Sequence, residues 1–287
     1  MPDMDLPLPR AAPLRLACPP AQTVPLVFAS PHSGRDYPPE FLAETRLDPL
    51  SLRRSEDSFV DELFAAAPGF GAPLLAATFP RAYCDANREP WELDPGMFEE
   101  PLPVWVNASS SRVSAGLGTI PRIVASGEAI YRRKLAFAEA ERRIQSCWQP
   151  YHDQLAELVG TTRRRFGTCL LIDCHSMPAS GTVAKSVDFV LGDAHGTSCA
   201  PHITRLVERT LTELGYAVRR NEPYSGGYVT RHYGRPGEGV NALQIEVARS
   251  LYMDEARIER LPGFDSVRDA LTALISALAG GVGVLAG

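Results

Sequence analysis

The sequence predicts an α/β layer fold, a mostly parallel or mixed central sheet flanked by helices. Short apolar runs rich in β-branched and aromatic residues recur along the chain, each ending in polar or turn residues, and helical patterns lie between them. Strands that alternate with helices imply a helix-covered sheet. Continuous apolar runs of this length fit strands buried on both faces.

The chain opens MPDMDLPLPRAAPLRLACPP, which is Pro-rich and lacks a charged segment followed by an apolar run. Residues 1–22 therefore read as an extended arm rather than a signal peptide, and 23–287 as a single domain. The first strand pattern covers 24–29 and breaks at Ser30-Pro31-His32. A helix is expected over 56–67, with Ser55 as N-cap and acids in its first turn. A second strand pattern at 74–79 runs on to Tyr83 and Asp85. The stretch 90–125 is rich in Pro, Gly and Ser with weak periodicity. Connections of that length are usually functional or disordered, so it reads as a loop covering the site. Over 126–159, Phe137, Ile144, Trp148, Tyr151, Leu155 and Leu158 recur at helical spacing, and Pro150 should kink or split that helix. Strand patterns follow at 169–173, 187–191 and 242–247, and helical ones at 200–214 and 264–279.

Composition narrows the function. With 45% hydrophobic and 22% charged residues over 287 positions, the chain can bury a full core without disulfides. The net charge of −5 argues against nucleic-acid binding, and Arg142-Arg143 and Arg163-Arg164-Arg165 read as solvated helix faces. No apolar stretch approaches the roughly 18 residues of a membrane span. Six cysteines without a CxxC pair, and no export signal, read as reduced, mostly buried thiols in the cytoplasm. The expected partner is a small-molecule carboxylate, with no nucleic acid and no membrane, on a monomer or small homo-oligomer.

Ligands of such sheets sit beyond the carboxyl ends of the strands, and those ends are rich in reactive side chains. His32 follows the first run, Asp85, Asn87 and Arg88 the second, and His175 follows Asp173 at the end of the third. Glu246 sits inside the last apolar run, where an unpaired carboxylate is costly unless it has a partner or a task. A lone histidine near a strand end is more often structural; two of them with several acids and an arginine are harder to dismiss. Two imidazoles plus a carboxylate are a common ligand set for catalytic zinc. The metal lowers the pKa of its water to about 7, and a nearby carboxylate moves the proton. No GxSxG, HExxH or Gly-rich phosphate loop competes with this reading. Asp173 could orient a ligand histidine. His152 reads as a surface residue, and His195 and His202 as capping or solvent-facing.

The blocks SPHSGRDYP (30–38), RSEDSFVDELF (54–64), FPRAYCDANREP (79–90), IDCHSMP (172–178), GGYVTRHYGRP (226–236) and NALQIEVARSLYMDE (241–255) together resemble the N-formylglutamate amidohydrolase family. That family looks related to the zinc carboxypeptidases and aspartoacylases, which implies a carboxypeptidase-like (phosphorylase/hydrolase-like) fold. The resemblance implies one Zn²⁺ or similar divalent ion per chain, hydrolysis of N-formyl-L-glutamate, and Glu246 as general base. It implies that Asn87 and Arg88 bind a substrate carboxylate and that Arg81 polarises the scissile carbonyl. One of Arg231, His232 and Tyr233 would touch substrate, with Arg231 preferred. The superfamily's ligand glutamate three residues after the first histidine is here Arg35, so the acidic ligand must come from elsewhere. Asp57 is favoured over Glu56, beside His32 and His175. The alternatives are a deacylase or carboxypeptidase for another N-acyl amino acid or peptide, and a non-catalytic metal-binding protein.

Overall fold

The computed structural model describes residues 12–178 and 187–281. Positions 1–11 of the expected arm and 282–287 of the expected domain lie outside the described residues. All five strand patterns form strands of one seven-stranded mixed sheet: β2 (Leu26–Ser30), β3 (Leu74–Ala77), β4 (Cys169–Met177), β5 (Phe189–Gly192) and β7 (Val240–Ala248). Two edge strands had no apolar run to mark them: β1 (Leu14–Ala17), within the segment read as an arm, and β6 (Val218–Arg220). The order is β1-β3-β2-β4-β7-β5-β6. The four strands from β3 to β7 are parallel, while β1 and the β5–β6 pair run against their neighbours.

The two central strands run longer than their apolar runs. β4 and β7 pair over nine residues each, which brings His175 opposite Glu246. His175 therefore lies inside its strand and not after it, because β7 continues alongside and supplies backbone partners. Alternation along a strand sends successive side chains to opposite faces. On one face Leu170, Ile172, Cys174, Leu243, Ile245 and Val247 pack against Ile203, Val207 and Leu271 of the helices Pro201–Glu213 and Phe264–Gly280. On the other, Cys169, Leu171, Val240 and Ala242 join a core with Tyr151 and Leu155 of the helix Gln149–Phe166. Farther along that second face come Asp173, His175, Gln244 and Glu246.

The helices match the patterns at 200–214 and 264–279 and depart from two others. The helix expected over 56–67 spans only Val60–Leu63, starting from Phe59 in the left-handed region with no side-chain cap. Ser55 is not its N-cap; its hydroxyl accepts from the Ala125 N–H instead. The chain before Phe59 is held by other bonds, such as Asp57 N–H to His32 O at 2.9 Å, so the helix cannot begin earlier. The stretch expected as a helix over 126–159, kinked or split at Pro150, is helical only from Phe137, as Phe137–Arg143, one π turn at Ile144–Trp148, and Gln149–Phe166. Pro150 lacks an N–H and would crowd the carbonyl four residues earlier; a π turn just before it relieves that conflict. Arg143, expected on a solvated face, is buried with its guanidinium 4.3 Å from the Tyr83 ring centre and ion-paired to Glu139 and Glu44. Arg163, Arg164 and Arg165 are exposed as expected. No helix among the described residues is long and apolar enough to cross a membrane.

Candidate active site and metal centre

A cavity of about 330 Å³ opens at the carboxyl ends of β2, β4 and β7, within the usual range for small-molecule sites. His32, Asp57 and His175 meet at its base, all buried, each offering a ligand atom within 4.8 Å of the others. Both imidazoles turn Nδ1 toward one oxygen: Asp57 Oδ2 lies 3.3 Å from His32 and 2.9 Å from His175. Each Nε2 is held from behind by another carboxylate, Asp85 at 2.6 Å for His32 and Asp173 at 2.8 Å for His175. Such carboxylate–histidine pairs fix the tautomer and aim the free nitrogen at a cation. Two imidazoles and a carboxylate converging with outer partners already in place therefore fit a divalent metal.

The remaining oxygen of Asp57 accepts from Arg249 Nη2 at 3.0 Å. Burial would raise the Asp57 carboxyl, but hydrogen bonds and charge from His175 and His32 hold it well below the usual range. Glu56, the alternative acidic ligand, is bound elsewhere, to Arg53 at 3.1 Å, Tyr37 Oη at 2.8 Å and Ser58 Oγ at 2.9 Å. Arg35 faces solvent and pairs with Glu62.

Glu246 lines the same cavity, one strand over from His175. Burial, with repulsion from Asp57 and Asp173, raises its pKa to about 7 despite the nearby His175 charge. Its Oε1 accepts from Gln244 Nε2 at 2.8 Å, and Gln244 Oε1 in turn accepts from the Gly227 N–H at 2.8 Å. A near-neutral pKa suits a residue that must both accept and return a proton.

The residues after β3 form the next wall. Arg81 donates to Asp85 Oδ2 at 2.8 Å. Arg88 is fixed by bonds to Leu117 O at 2.8 Å and Asn87 O at 2.7 Å. Asn87 lines the cavity, its Oδ1 accepting from Val229 N–H at 2.7 Å; its Nδ2 lies 3.1 Å from His175 Nε2, whose own hydrogen faces Asp173, so the amide N–H groups are not taken up there. The segment 90–125 contributes Arg112, Leu117, Pro121 and Ile123 to the wall. Behind residues 85–88 stands the long helix: Trp148 donates to Arg88 O at 3.0 Å, and His152 Nε2 bonds Ala86 O at 2.8 Å. His152, expected at the surface, is thus buried, because the buried carbonyl of Ala86 needs a donor there. Gly34, after His32, lies so close to Phe79 that a Cβ would stand 2.1 Å from its carbonyl oxygen.

Arg231 does not join this group. Its guanidinium is exposed and bonds Gly226 O and Ser225 Oγ, over a separate surface pocket with Thr197 and Arg235. His195 is exposed, and His202 lies within the helix Pro201–Glu213 rather than capping it. Several cavity residues were not singled out from sequence, Gln244, Arg249 and Arg112 among them. Gln244 could have been found by its period-2 spacing from Glu246, and Arg249 by lying in the same block. Arg112 carried no such signal.

The model of the N-formylglutamate amidohydrolase family matches residues 24–253. An N-formylglutamate deformylase of Pseudomonas aeruginosa is 31% identical over 238 residues, covering 81% of this chain and 83% of its own. One from Pseudomonas putida is 29% identical over the same length and coverage. The solved N-formylglutamate amidohydrolase of Ralstonia eutropha is 43% identical, with a TM-score of 0.89 over 95% of this chain and 99% of its own. A protein from Agrobacterium tumefaciens shares the fold at 17% identity, with a TM-score of 0.66 over 94% of this chain and 93% of its own.

Proposed function

The chain belongs to the N-formylglutamate amidohydrolase family, and on that premise we propose that it hydrolyses N-formyl-L-glutamate to formate and L-glutamate. The observation that carries the chemistry is the buried His32–Asp57–His175 group beside Glu246 at the base of one cavity. In this reading His32, Asp57 and His175 hold Zn²⁺, one per chain. Bound there, the ion supplies Lewis acidity and a water ionisable near neutral pH. Glu246 takes a proton from the attacking water as its oxygen adds to the formyl carbon. It returns that proton to the substrate nitrogen as the C–N bond breaks, so formate and a free amine leave. Asp85 and Asp173 hold the two imidazoles, and Arg249 holds Asp57, so the centre needs little rearrangement between steps. Arg81, in the cavity wall beside Asp85, steadies negative charge on the carbonyl oxygen in this reading.

Arg88 binds a substrate carboxylate, a task suited to a rigid guanidinium fork. Asn87 shares that task in this reading through its amide N–H groups, while its Oδ1 anchors Val229 N–H. We assign the reaction to the last step of a histidine-degradation route, in the cytoplasm. The test is formate release from N-formyl-L-glutamate by protein of measured metal content. Metal-loaded protein that releases no formate would refute the reading.

A further inference from the structure

The cavity holds four arginines, and their charges are answered unequally. Arg81 has Asp85 at 2.8 Å and Arg249 has Asp57 at 3.0 Å. Among the described residues Arg88 has one ion pair, with Asp85 at 3.9 Å, through an oxygen already taken by Arg81. Its shorter bonds go to the carbonyls of Leu117 and Asn87, which fix its direction without cancelling its charge. Arg112 lines the same cavity from the covering segment. Among the described residues its guanidinium meets neither a carboxylate nor a carbonyl. Two cations therefore share one end of a partly enclosed cavity with too little negative charge between them. Burial and the neighbouring Arg81 and Arg112 lower the Arg88 pKa despite Asp85 and Glu92. An anion seated between the two guanidinium groups would relieve that repulsion and gain charge-assisted hydrogen bonds.

We infer that Arg112 is a specificity-determining residue which, with Arg88, clamps the side-chain carboxylate of the substrate. The inference rests on the proposed reaction and deepens it. Position decides which carboxylate is meant. Arg81 lies within electrostatic reach of Asp57 and Glu246, whereas Arg88 is coupled to Arg112 and Glu92. The α-carboxylate is one carbon from the scissile nitrogen and stays near the Arg81 end. The side-chain carboxylate lies two methylenes farther out, where Leu117 and Ile123 give those methylenes an apolar wall. Asn87, with its Nδ2 3.1 Å from His175 Nε2, stays at the histidine end of the cavity.

The test compares wild type with Arg112→Met, which keeps an unbranched stem and removes the charge. Rates are measured on N-formyl-L-glutamate and N-formyl-L-glutamine, and binding of L-glutamate and L-glutamine by calorimetry. Losing one charge-assisted clamp arm should cost about 10- to 100-fold in kcat/KM on the glutamate substrate, mainly through KM, and under about twofold on the glutamine one. L-Glutamate binding should weaken by the same factor, L-glutamine binding should not change, and Arg112→Lys should recover part of the loss. Equal losses on both substrates, or none on either, would overturn the clamp. A wild type that releases no formate would refute the reaction, yet a glutamate-over-glutamine binding preference abolished in Arg112→Met would still support the clamp. Wild type lacking that preference would overturn the clamp even where formate is released.

Discussion

The two faces of β4 and β7 are built from alternate residues of the same segments, and they do different work. The face carrying Ile172, Cys174, Ile245 and Val247 stays apolar to the strand ends and is sealed by two long helices. The opposite face starts apolar at Leu171 and Ala242, then turns to Asp173, His175, Gln244 and Glu246 where the cavity opens. Stability and reactivity are thus separated by the pleat rather than by distance along the chain. A position changed by one residue moves from one role to the other. Strands buried on one side by helices can carry a row of costly polar groups on the other, because the paying term, apolar burial, acts on the same backbone.

The comparison breaks if substitutions on the two faces have the same consequences. His175→Ala on the polar face should abolish most metal binding and lower kcat/KM on the order of 1000-fold or more, if the ion contributes several kcal/mol to the barrier. Elemental analysis beside formate release checks both; full metal retention in this variant and in His32→Ala would remove the metal assignment. Ile245→Ala on the opposite face should cost about 2–5 kcal/mol of folding stability through a cavity, with metal content unchanged and near-normal turnover in the protein that remains folded. Denaturant titration reads the first quantity, and a large fall in kcat at full occupancy of the folded state would erase the separation.

Glu246→Gln, two positions after Gln244 on the polar face's own spacing, sharpens the contrast. It should keep metal and lose about 100-fold or more in kcat, the scale of a general acid–base group. Near-normal turnover would hand the proton to another residue.

The smallest effect concerns the layer behind the site. Burial lowers the pKa of His152 from 6.5 to about 4, although Ala86 O partly favours the charged form. The unfolded chain therefore takes up a proton below pH 6.5 while the folded protein does not, so stability is full above that pH and falls as pH drops toward 4. Between pH 6.5 and 5 this should remove about 2 kcal/mol. His152→Gln should flatten that part of the pH profile, and an unchanged slope would show that other groups cause it.

Sequence made the central strands plain because each is buried on both sides and so reads as an apolar run. β1 and β6 are short edges with alternating, half-exposed residues, and nothing distinguishes three residues such as Val218-Arg219-Arg220 from a loop. The shortened helix at Val60 was hidden because the bonds holding Asp57 in place come from His32, far away in sequence. Site residues that break an apolar pattern, such as Glu246, are conspicuous for their cost. Arg249 and Arg112 were harder to see, since arginines that hold another side chain or await a ligand look the same as surface arginines until the fold is known. The reverse error befell His152 and Arg143, whose burial depends on loops that pack over the helix.

The close seat of Gly34 against Phe79 bears on how freely this protein can diversify. The loop carrying His32 docks on the strand exit that leads to Asp85, with Asp36 N–H bonding Thr78 O at 2.9 Å and no room for a methyl between the two backbones. The spacing of the reaction centre is therefore set by main chain touching main chain, a joint that no side-chain repacking can adjust. The wall from 112 to 123 is seated in the same way: a Cβ on Gly118 would stand 2.2 Å from the Glu92 carbonyl oxygen, and Asp85 N–H bonds Thr119 O at 2.8 Å. Changes of substrate range are therefore left to side chains such as Arg112, Leu117 and Ile123, while two backbone seats fix where those side chains stand.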